Sequence, residues 1–238
     1  MFNLTETESK RVMVIMAHPD DPEFFTGGTI ALWARGGAEV IYLILTNGNK
    51  GSQDPEMTPE RLTKLRRNEQ RTAASLLGVK TIIFLDEPDG ELQATLQLRQ
   101  RVVQEIRRHR PDIVICPDPS TYYFGDTYVN HPDHRAAGQV ALEAIFPAAR
   151  NPMYHPELLG EGLLPYAVHE IYLTGTAQPN RWVDVTDVMD VKVQAIRSHA
   201  SQLPDPEDSI ERVRQRAAAV DEYGRRVYRE AYRYLAIR

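Results

Sequence analysis

The first two thirds of the chain alternate short runs of β-branched and other apolar residues with longer segments of helical periodicity. The short runs predict strands over 12–17, 39–45, 81–85 and 112–116, of which the first is expected to be fully buried. The longer segments predict helices over 25–35, 59–77, 92–108 and 134–146. Because strands that alternate with helices typically pair in parallel through right-handed crossovers, this order predicts an α/β protein with helices on both faces of a sheet.

The specific expectation is a Rossmann-like fold whose mostly parallel sheet has the strand order 3-2-1-4-5. Beyond residue 146 the pattern weakens, and the C-terminal additions are predicted as short strands over 168–173 and 182–185 and helices over 190–202 and 210–238. No repeat or linker interrupts the pattern. We therefore expect one domain that spans 1–238.

Composition narrows the classes of partner and compartment. The chain has 28 lysines and arginines against 33 aspartates and glutamates, a formal net charge of −5, and no basic stretch typical of nucleic-acid binding. The first ten residues are polar, unlike a secretory signal, and no apolar run approaches the ~18 residues of a membrane span. The single cysteine, Cys116, excludes an internal disulfide. We expect a cytoplasmic protein that does not bind nucleic acid and has no membrane span.

Two related motifs stand where the fold predicts a crevice. His-Pro-Asp-Asp at 18–21 directly follows the first strand, and His-Pro-Asp-His at 131–134 follows the loop after the fourth strand. Strands 1 and 4 are neighbours at the switch point of this strand order, where ligands bind at the carboxyl ends of the strands. Since no G-x-G-x-x-G follows the first strand, a dinucleotide site is not supported.

The two motifs supply the donor set of a catalytic metal. Catalytic zinc typically takes three protein ligands and leaves one position for water, and His18, Asp21 and His134 can form such a set. Taken alone, the first motif could be a turn with helix-capping aspartates and the second a helix start. Their shared place at one crevice favours the metal site over both structural interpretations.

Further acid–base groups lie beside these ligands. A bound metal lowers the pKa of water from ~15.7 towards ~7, so that Asp20 suffices as the general base. His131 remains as an acid or as a stabiliser of the oxyanion, and Asp133 can hold the tautomer of a catalytic imidazole. This surplus chemistry favours a hydrolase over a non-catalytic metal-binding protein.

On these residues the chain resembles the zinc-dependent N-acetylglucosaminyl deacetylases of the LmbE-like or PIG-L type. The resemblance includes both motifs and extends to the glycines at 27–28, the turn at 45–51, residues 66–79, 89–92 and, more loosely, 192–202. It implies zinc at the ligand set above, although Fe²⁺ or another divalent metal could replace it, and an acetamido sugar as substrate. It also implies that Arg66 contacts the substrate and that the chain forms a homo-oligomer, a hexamer by family analogy. Pro22 departs from the pattern, because a glutamate commonly stands there, and Glu23 follows one position later.

Competing functions stay open at this point. A non-haem iron oxygenase also uses two histidines and a carboxylate, but its usual His-x-Asp spacing and all-β barrel differ from this chain. A metal-dependent hydrolase of a non-sugar amide, an ester or a phosphoester would need the same centre. The aromatic loop 122–128 could stack on a sugar or could be a structural plug, and His199 could approach the site or make a structural hydrogen bond.

Overall fold

The computed structural model describes residues 10–237, which form a central sheet with helices on both faces. The strands are β1 (Arg11–Met16), β2 (Glu39–Thr46), β3 (Thr81–Glu87), β4 (Ile113–Pro117), β5 (Tyr123–Phe124), β6 (Tyr128–Val129), β7 (Glu170–Thr174), β8 (Arg181–Asp184), β9 (Ala218–Val220) and β10 (Arg226–Ala236). The α-helices are α1 (Asp21–Arg35), α2 (Pro59–Leu76), α3 (Leu96–His109), α4 (Pro132–Glu143), α5 (Glu157–Gly160), α6 (Met189–Arg197) and α7 (Pro206–Ala217). A π-helical segment covers Ala144–Ala149, and 3-10 turns cover Thr186–Val188 and Ala200–Gln202.

The predicted strand order is confirmed. Strands β3, β2, β1, β4 and β7 lie side by side in that order, and each neighbouring pair is parallel. The sheet then continues through β10, which is antiparallel to β7 and also pairs with β8 and, at its N-terminal end, with β9. The predicted mixed fold with a mostly parallel sheet therefore holds for the described chain.

The side chains of β1 show why the sheet is buried on both faces. Met13 and Ile15 pack into the core beneath α3 and α4, whereas Val12 and Val14 pack into the core beneath α1, α2 and α6. All four side chains are fully buried. Because α1 follows β1 to one face and α4 follows β4 to the other, a crevice opens at the carboxyl ends of these two strands.

The prediction of one helix over 210–238 is wrong. Helix α7 ends at Ala217, and the chain then forms the antiparallel pair β9–β10 around a turn that contains Gly224 at φ 77°. In the middle of β10 burial alternates, with Glu230 and Tyr232 buried and Ala231 and Arg233 exposed. The aromatic residues and this two-residue period are strand signals, which the many arginines, alanines and glutamates of good helix propensity obscured.

Smaller boundary errors have local causes. Helix α1 begins at Asp21 rather than at residue 25, since Pro22 occupies its first turn, where proline is favoured. Helix α3 begins at Leu96 rather than at residue 92, because the Thr95 hydroxyl caps it by accepting a hydrogen bond from the Leu98 N–H at 3.1 Å. The predicted loop before residue 131 contains the small hairpin β5–β6. Among residues 10–237, no helix combines the length and the apolar character that crossing a membrane requires.

Candidate metal centre and active site

The turn between β1 and α1 presents the first motif at the carboxyl edge of the sheet. His18 follows the buried end of β1, and its backbone N–H donates to the Asp21 carboxylate at 2.8 Å. Asp21 opens α1, whose positive N-terminal end favours a carboxylate. Between them Asp20 adopts φ 107°, a conformation that costs a residue other than glycine about 1–3 kcal/mol.

The predicted ligand atoms of His18, Asp21 and His134 come together in this crevice. The Nδ1 atom of His18 lies 3.3 Å from Nε2 of His134 and 3.4 Å from an Asp21 carboxylate oxygen. The other Asp21 oxygen lies 3.1 Å from the same His134 nitrogen. A tetrahedral metal with bonds of about 2.0–2.1 Å places its ligand atoms about 3.3–3.4 Å apart. The two nitrogens face different oxygens of Asp21, and one donor atom from each residue lies within 4.8 Å of the others. This grouping is compatible with a small divalent metal such as zinc.

The outer nitrogens of both imidazoles have partners that orient the rings. Nε2 of His18 lies 3.1 Å from carboxylate oxygens of both Asp89 and Asp133. Nδ1 of His134 lies 3.2 Å from the amide oxygen of Asn130. We assign the ring protons to these outer nitrogens, which leaves the lone pairs of His18 Nδ1 and His134 Nε2 directed at the centre. Such outer contacts are typical of metal-binding histidines.

The electrostatics of the group also favour a cation. Burial would lower the pKa of His18, but the charge of Asp21 and the hydrogen bonds of Asp133, Asp21 and Asp89 outweigh it, and that pKa lies well above its usual range. Burial would raise the pKa of Asp21, but the charges and hydrogen bonds of His134 and His18 hold that pKa well below its usual range. The surroundings thus stabilise positive charge at this point, which a metal ion also supplies.

Asp20 lies beside this group at the same turn. Its carboxylate accepts a hydrogen bond from Nη2 of Arg66 at 3.2 Å, and its backbone N–H donates to Oε1 of Gln70 at 2.9 Å. Burial raises the pKa of Asp20 above its usual range, although the Arg66 charge opposes that shift. A buried carboxylate with a raised pKa is a stronger base than an exposed aspartate.

His131 caps the start of α4 on the other side of the crevice. Its ring packs edge-on against that of His18 with the centroids 4.7 Å apart, and its Nδ1 accepts the Asp133 backbone N–H at 3.2 Å. The sequence interpretation gave the Asp133 carboxylate a role in holding a catalytic imidazole. The carboxylate instead accepts hydrogen bonds from the backbone N–H groups of Gly90 at 2.7 Å and Leu92 at 3.2 Å and lies against the ligand His18. Burial and the His18 charge lower the pKa of His131.

Arg66 is buried beneath the turn that carries Asp20. Its guanidinium donates to the backbone oxygens of Pro19 at 2.6 Å and Gly48 at 3.0 Å and lies 3.6 Å from Asp89. A Cβ atom at Gly48 would lie 2.7 Å from Arg66 Nη1, so the glycine permits this close approach. These contacts make Arg66 a support of Asp20, and its predicted contact with substrate stays a prediction.

Comparison with known proteins places the chain in a family. The family model described as PIG-L, GlcNAc-PI de-N-acetylase, matches residues 13–145, which include both motifs. The chain belongs to the PIG-L family. It is 41% identical over 206 residues to the diacetylchitobiose deacetylase of Thermococcus kodakarensis, a match that covers 86% of this chain and 75% of that protein.

Solved structures agree with this assignment. The N,N'-diacetylchitobiose deacetylase of Pyrococcus horikoshii matches with a TM-score of 0.87 and 34% identity over 99% of this chain and 88% of that chain. The 4-carboxy-2-hydroxymuconate hydratase of Pseudomonas putida KT2440 matches with a TM-score of 0.76 and 26% identity over 96% of this chain and 97% of that chain. The PIG-L fold is therefore shared by deacetylases and by a hydratase.

In this PIG-L protein a cavity of about 680 Å³ opens beside the predicted metal ligands. Its lining includes Asp20, Asp21 and His134, and it extends to α7 and β10. Of the aromatic loop, Phe124 and Tyr128 line the cavity, which is compatible with either interpretation of that loop. The volume lies within the range of about 300–1,000 Å³ that is typical of small-molecule sites.

Asp89 and Glu23 were missed as parts of the site. Asp89 contacts both His18 and Arg66, and its position after β3, at the same edge of the sheet, is the signal that could have indicated it. Burial would raise the pKa of Asp89, but His18 and Arg66 lower it below its usual range. His199 makes a buried hydrogen bond with Glu23 at 3.0 Å, the structural role that the sequence left open. No sequence signal links these two residues, which are 176 positions apart.

Proposed function

We propose that this protein is a zinc-dependent N-deacetylase that hydrolyses the acetamido group of an N-acetylglucosamine-type sugar or glycoconjugate. The observation that carries the proposal is the geometry of His18, Asp21 and His134, with Asp20 beside them. The deacetylase relatives support the reaction class. Both are named for the same acetylated sugar, diacetylchitobiose, which supports a sugar acetamide as the substrate.

Zinc bound by these three residues would supply an electrophile that polarises the acetamide carbonyl and lowers the pKa of a water molecule. Asp20 takes the proton of the attacking water, a role that suits its buried carboxylate and raised pKa. Arg66 holds that carboxylate in place through its hydrogen bond at 3.2 Å. The proton on Asp20 is then available for the sugar nitrogen, which leaves as an amine together with acetate.

His131 lies across the crevice from Asp20, where it can stabilise the oxyanion. Because its Nδ1 accepts the Asp133 N–H, we assign its ring proton to Nε2. A neutral imidazole, which the lowered pKa favours, donates this hydrogen bond to the developing oxyanion. To act as the acid, His131 would first have to be protonated to the imidazolium, which the same shift opposes. Asp133 contributes through the ring of His18 rather than through that of His131.

The Asp20→Asn variant tests the base directly. It keeps the size of the side chain and removes the carboxylate that accepts the proton, so kcat should fall by about 10²–10⁴-fold while zinc remains at one ion per chain. Zinc content by mass spectrometry and acetate release are measured on the same sample. Full activity in this variant would refute the assignment of Asp20.

Hydrolysis of a different substrate is the second candidate. The hydratase relative shows that this fold also carries out water addition to a substrate without an acetamide. A protein that holds zinc but releases no acetate from any acetylated sugar would favour a non-sugar amide, an ester or a hydration reaction instead.

A further inference from the structure

One wall of the cavity is formed by the C-terminal elements α7 and β10. Val213 and Ala217 of α7 and Ala231 of β10 give this wall apolar patches. Arg216 and Arg229 line the same wall. Arg229 is half-buried, whereas Arg216 is exposed.

The carboxylates that line the cavity already have cationic partners. The Glu230 carboxylate accepts a hydrogen bond from Lys192 at 2.6 Å. Asp20 has Arg66 at 3.2 Å, and Asp21 belongs to the predicted metal ligands, whose ion would neutralise it. None of these acids is therefore left to neutralise a further cation.

Arg216 and Arg229 differ in this respect from arginines nearby. Arg214, two residues earlier on α7, donates to Asp190 at 2.8 Å, and Arg212 pairs with Asp208 at 2.5 Å. Within residues 10–237, neither Arg216 nor Arg229 makes an ion pair or a side-chain hydrogen bond. Asp184 stands opposite Arg229 in the β8–β10 pairing but forms no ion pair with it. Both guanidinium groups are therefore available to an anion in the cavity.

We propose that Arg216 and Arg229 bind an anionic group, a carboxylate or a phosphate, on the substituent that the acetylated amino sugar carries. This inference rests on the proposed deacetylase function and names the class of its substrate. The planar guanidinium matches the oxygens of either anion and forms paired hydrogen bonds with them. A substrate bound in this way has its acetamide at the metal ligands and its anion at α7 and β10.

The test compares sugars that differ in charge alone. N-acetylglucosamine 1-phosphate and the N-acetylglucosaminide of glycolic acid are assayed against the methyl glycoside of the same anomeric configuration. We expect kcat/KM to be about tenfold or more higher for at least one anionic sugar at low salt, a preference that shrinks as salt rises. In the double variant Arg216→Gln, Arg229→Gln the preference should fall close to one.

Arg212→Gln is the matched control, because it removes the same charge from the same helix outside the cavity lining. It should keep the preference of the wild type. Dissociation constants of glucosamine 1-phosphate and methyl glucosaminide, measured by calorimetry on all variants, test the same contacts without catalysis. Equal charge preference in the wild type and the double variant would overturn the inference, whereas absence of acetate release with charge-selective binding would overturn the proposed reaction alone.

An independent observation concerns the backbone of Asp20. Its φ of 107° lies in a region that side chains other than glycine rarely adopt, so the surroundings must hold it. Gln70 of α2 accepts the Asp20 N–H at 2.9 Å through Oε1. The other end of this amide donates to both oxygens of Glu23, at 3.0 and 3.1 Å.

Glu23 determines which way the Gln70 amide points. The carboxylate of Glu23 is fully buried and contacts His199 Nε2 at 3.0 Å and the Tyr42 hydroxyl at 3.2 Å. A carboxylate only accepts hydrogen bonds, so Gln70 must direct its NH₂ group to Glu23 and its oxygen to Asp20.

We infer that Gln70 and Glu23 are positioning residues for Asp20. This second inference rests on the proposed function, in which Asp20 is the base. Gln70→Met has a similar length but accepts no hydrogen bond from Asp20. We expect kcat to fall about 10–100-fold, as small misplacements of reacting groups do. KM and the zinc content should stay within about twofold of the wild type.

Glu69→Gln is the matched control on the neighbouring position of α2. Glu69 accepts hydrogen bonds from the Ser201 backbone and hydroxyl at 2.8 and 2.7 Å, two residues after His199. Among the described residues it makes no hydrogen bond to Asp20. Equal loss of kcat in both variants would indicate general loosening and overturn the inference. A crystal structure of Gln70→Met reads the φ of Asp20 independently of activity, and an unchanged φ of about 107° there would also overturn it.

Discussion

Replacement of Asp133 by asparagine tests how the second motif supports the metal ligands. One oxygen of the carboxylate faces His18 Nε2 at 3.1 Å and the Gly90 N–H at 2.7 Å. The other accepts the Leu92 N–H at 3.2 Å. An asparagine offers a single oxygen. Its NH₂ group must therefore face either the Leu92 N–H or the pair of donors at Gly90 and His18, none of which can accept a hydrogen bond. The variant therefore loses the charge beside His18 and at least one of these hydrogen bonds.

The expected cost follows from the kind of contact. Loss of an outer partner of a metal-binding histidine typically weakens metal affinity 10–100-fold, which corresponds to about 1.4–2.7 kcal/mol. Asp89 also contacts His18 Nε2, so we expect the lower half of this range. The dissociation constant for zinc is measured at fixed pH by competition with a chromophoric chelator.

A matched variant separates this effect from a general loss of buried carboxylate. Asp118→Asn changes another buried aspartate near the cavity, whose carboxylate accepts hydrogen bonds from the Ser120 backbone and hydroxyl instead. It should bind zinc within about threefold of the wild type. Zinc affinity that is unchanged in Asp133→Asn, or reduced equally in both variants, would refute the reasoning.

Other consequences can be measured on the same protein. His134→Ala should fail to retain stoichiometric zinc after dialysis, because it removes one of three ligands, and normal metal content would exclude it from the set. Glu230→Gln should lower the free energy of unfolding by about 3 kcal/mol in urea, because Lys192 is left buried without its counterion, whereas the exposed pair variant Glu207→Gln should cost under about 1 kcal/mol. Burial would raise the pKa of Glu230, but Lys192 and Thr29 hold that pKa below its usual range. The Glu230–Lys192 pair therefore stabilises the protein above about pH 4.3, the pKa of an unfolded glutamate, and this contribution is lost as the pH falls through the folded pKa. In Glu230→Gln the free energy of unfolding should accordingly fall less steeply as the pH is lowered. Burial raises the pKa of the Cys116 thiol far above its usual range, so a thiol reagent should label it only on unfolding, and rapid labelling of the native protein would contradict its placement in β4.

The parts of the fold that could be predicted are those with a one-dimensional signal. The β-branched runs of β1, β2 and β4 are buried on both faces, whereas the edge strand β3 is half-buried. The alternation of these strands with helices determines the parallel order. That order alone brings residues 18–21 and 131–134 to one crevice, so the proximity of the three predicted ligands required no knowledge of side-chain positions.

The parts that could not be predicted depend on contacts between distant residues. Glu230 is buried in a strand because Lys192, Thr29 and the Gly28 N–H satisfy its carboxylate, and nothing local indicates those partners. The same holds for Asp133, whose adjacency to His131 in sequence suggested a partner that the turn of α4 directs elsewhere. The Asp20 N–H likewise has its partner, Gln70, on α2, and nothing local in the sequence indicates that contact.

Release of acetate from a panel of N-acetylglucosamine derivatives tests the central claim most directly. The protein is assayed as purified, after removal of metal by a chelator, and after zinc is restored. The account predicts activity that disappears with the chelator and returns with about one zinc ion per chain. Absence of acetate from every derivative, in a protein that carries zinc at His18, Asp21 and His134, would contradict it.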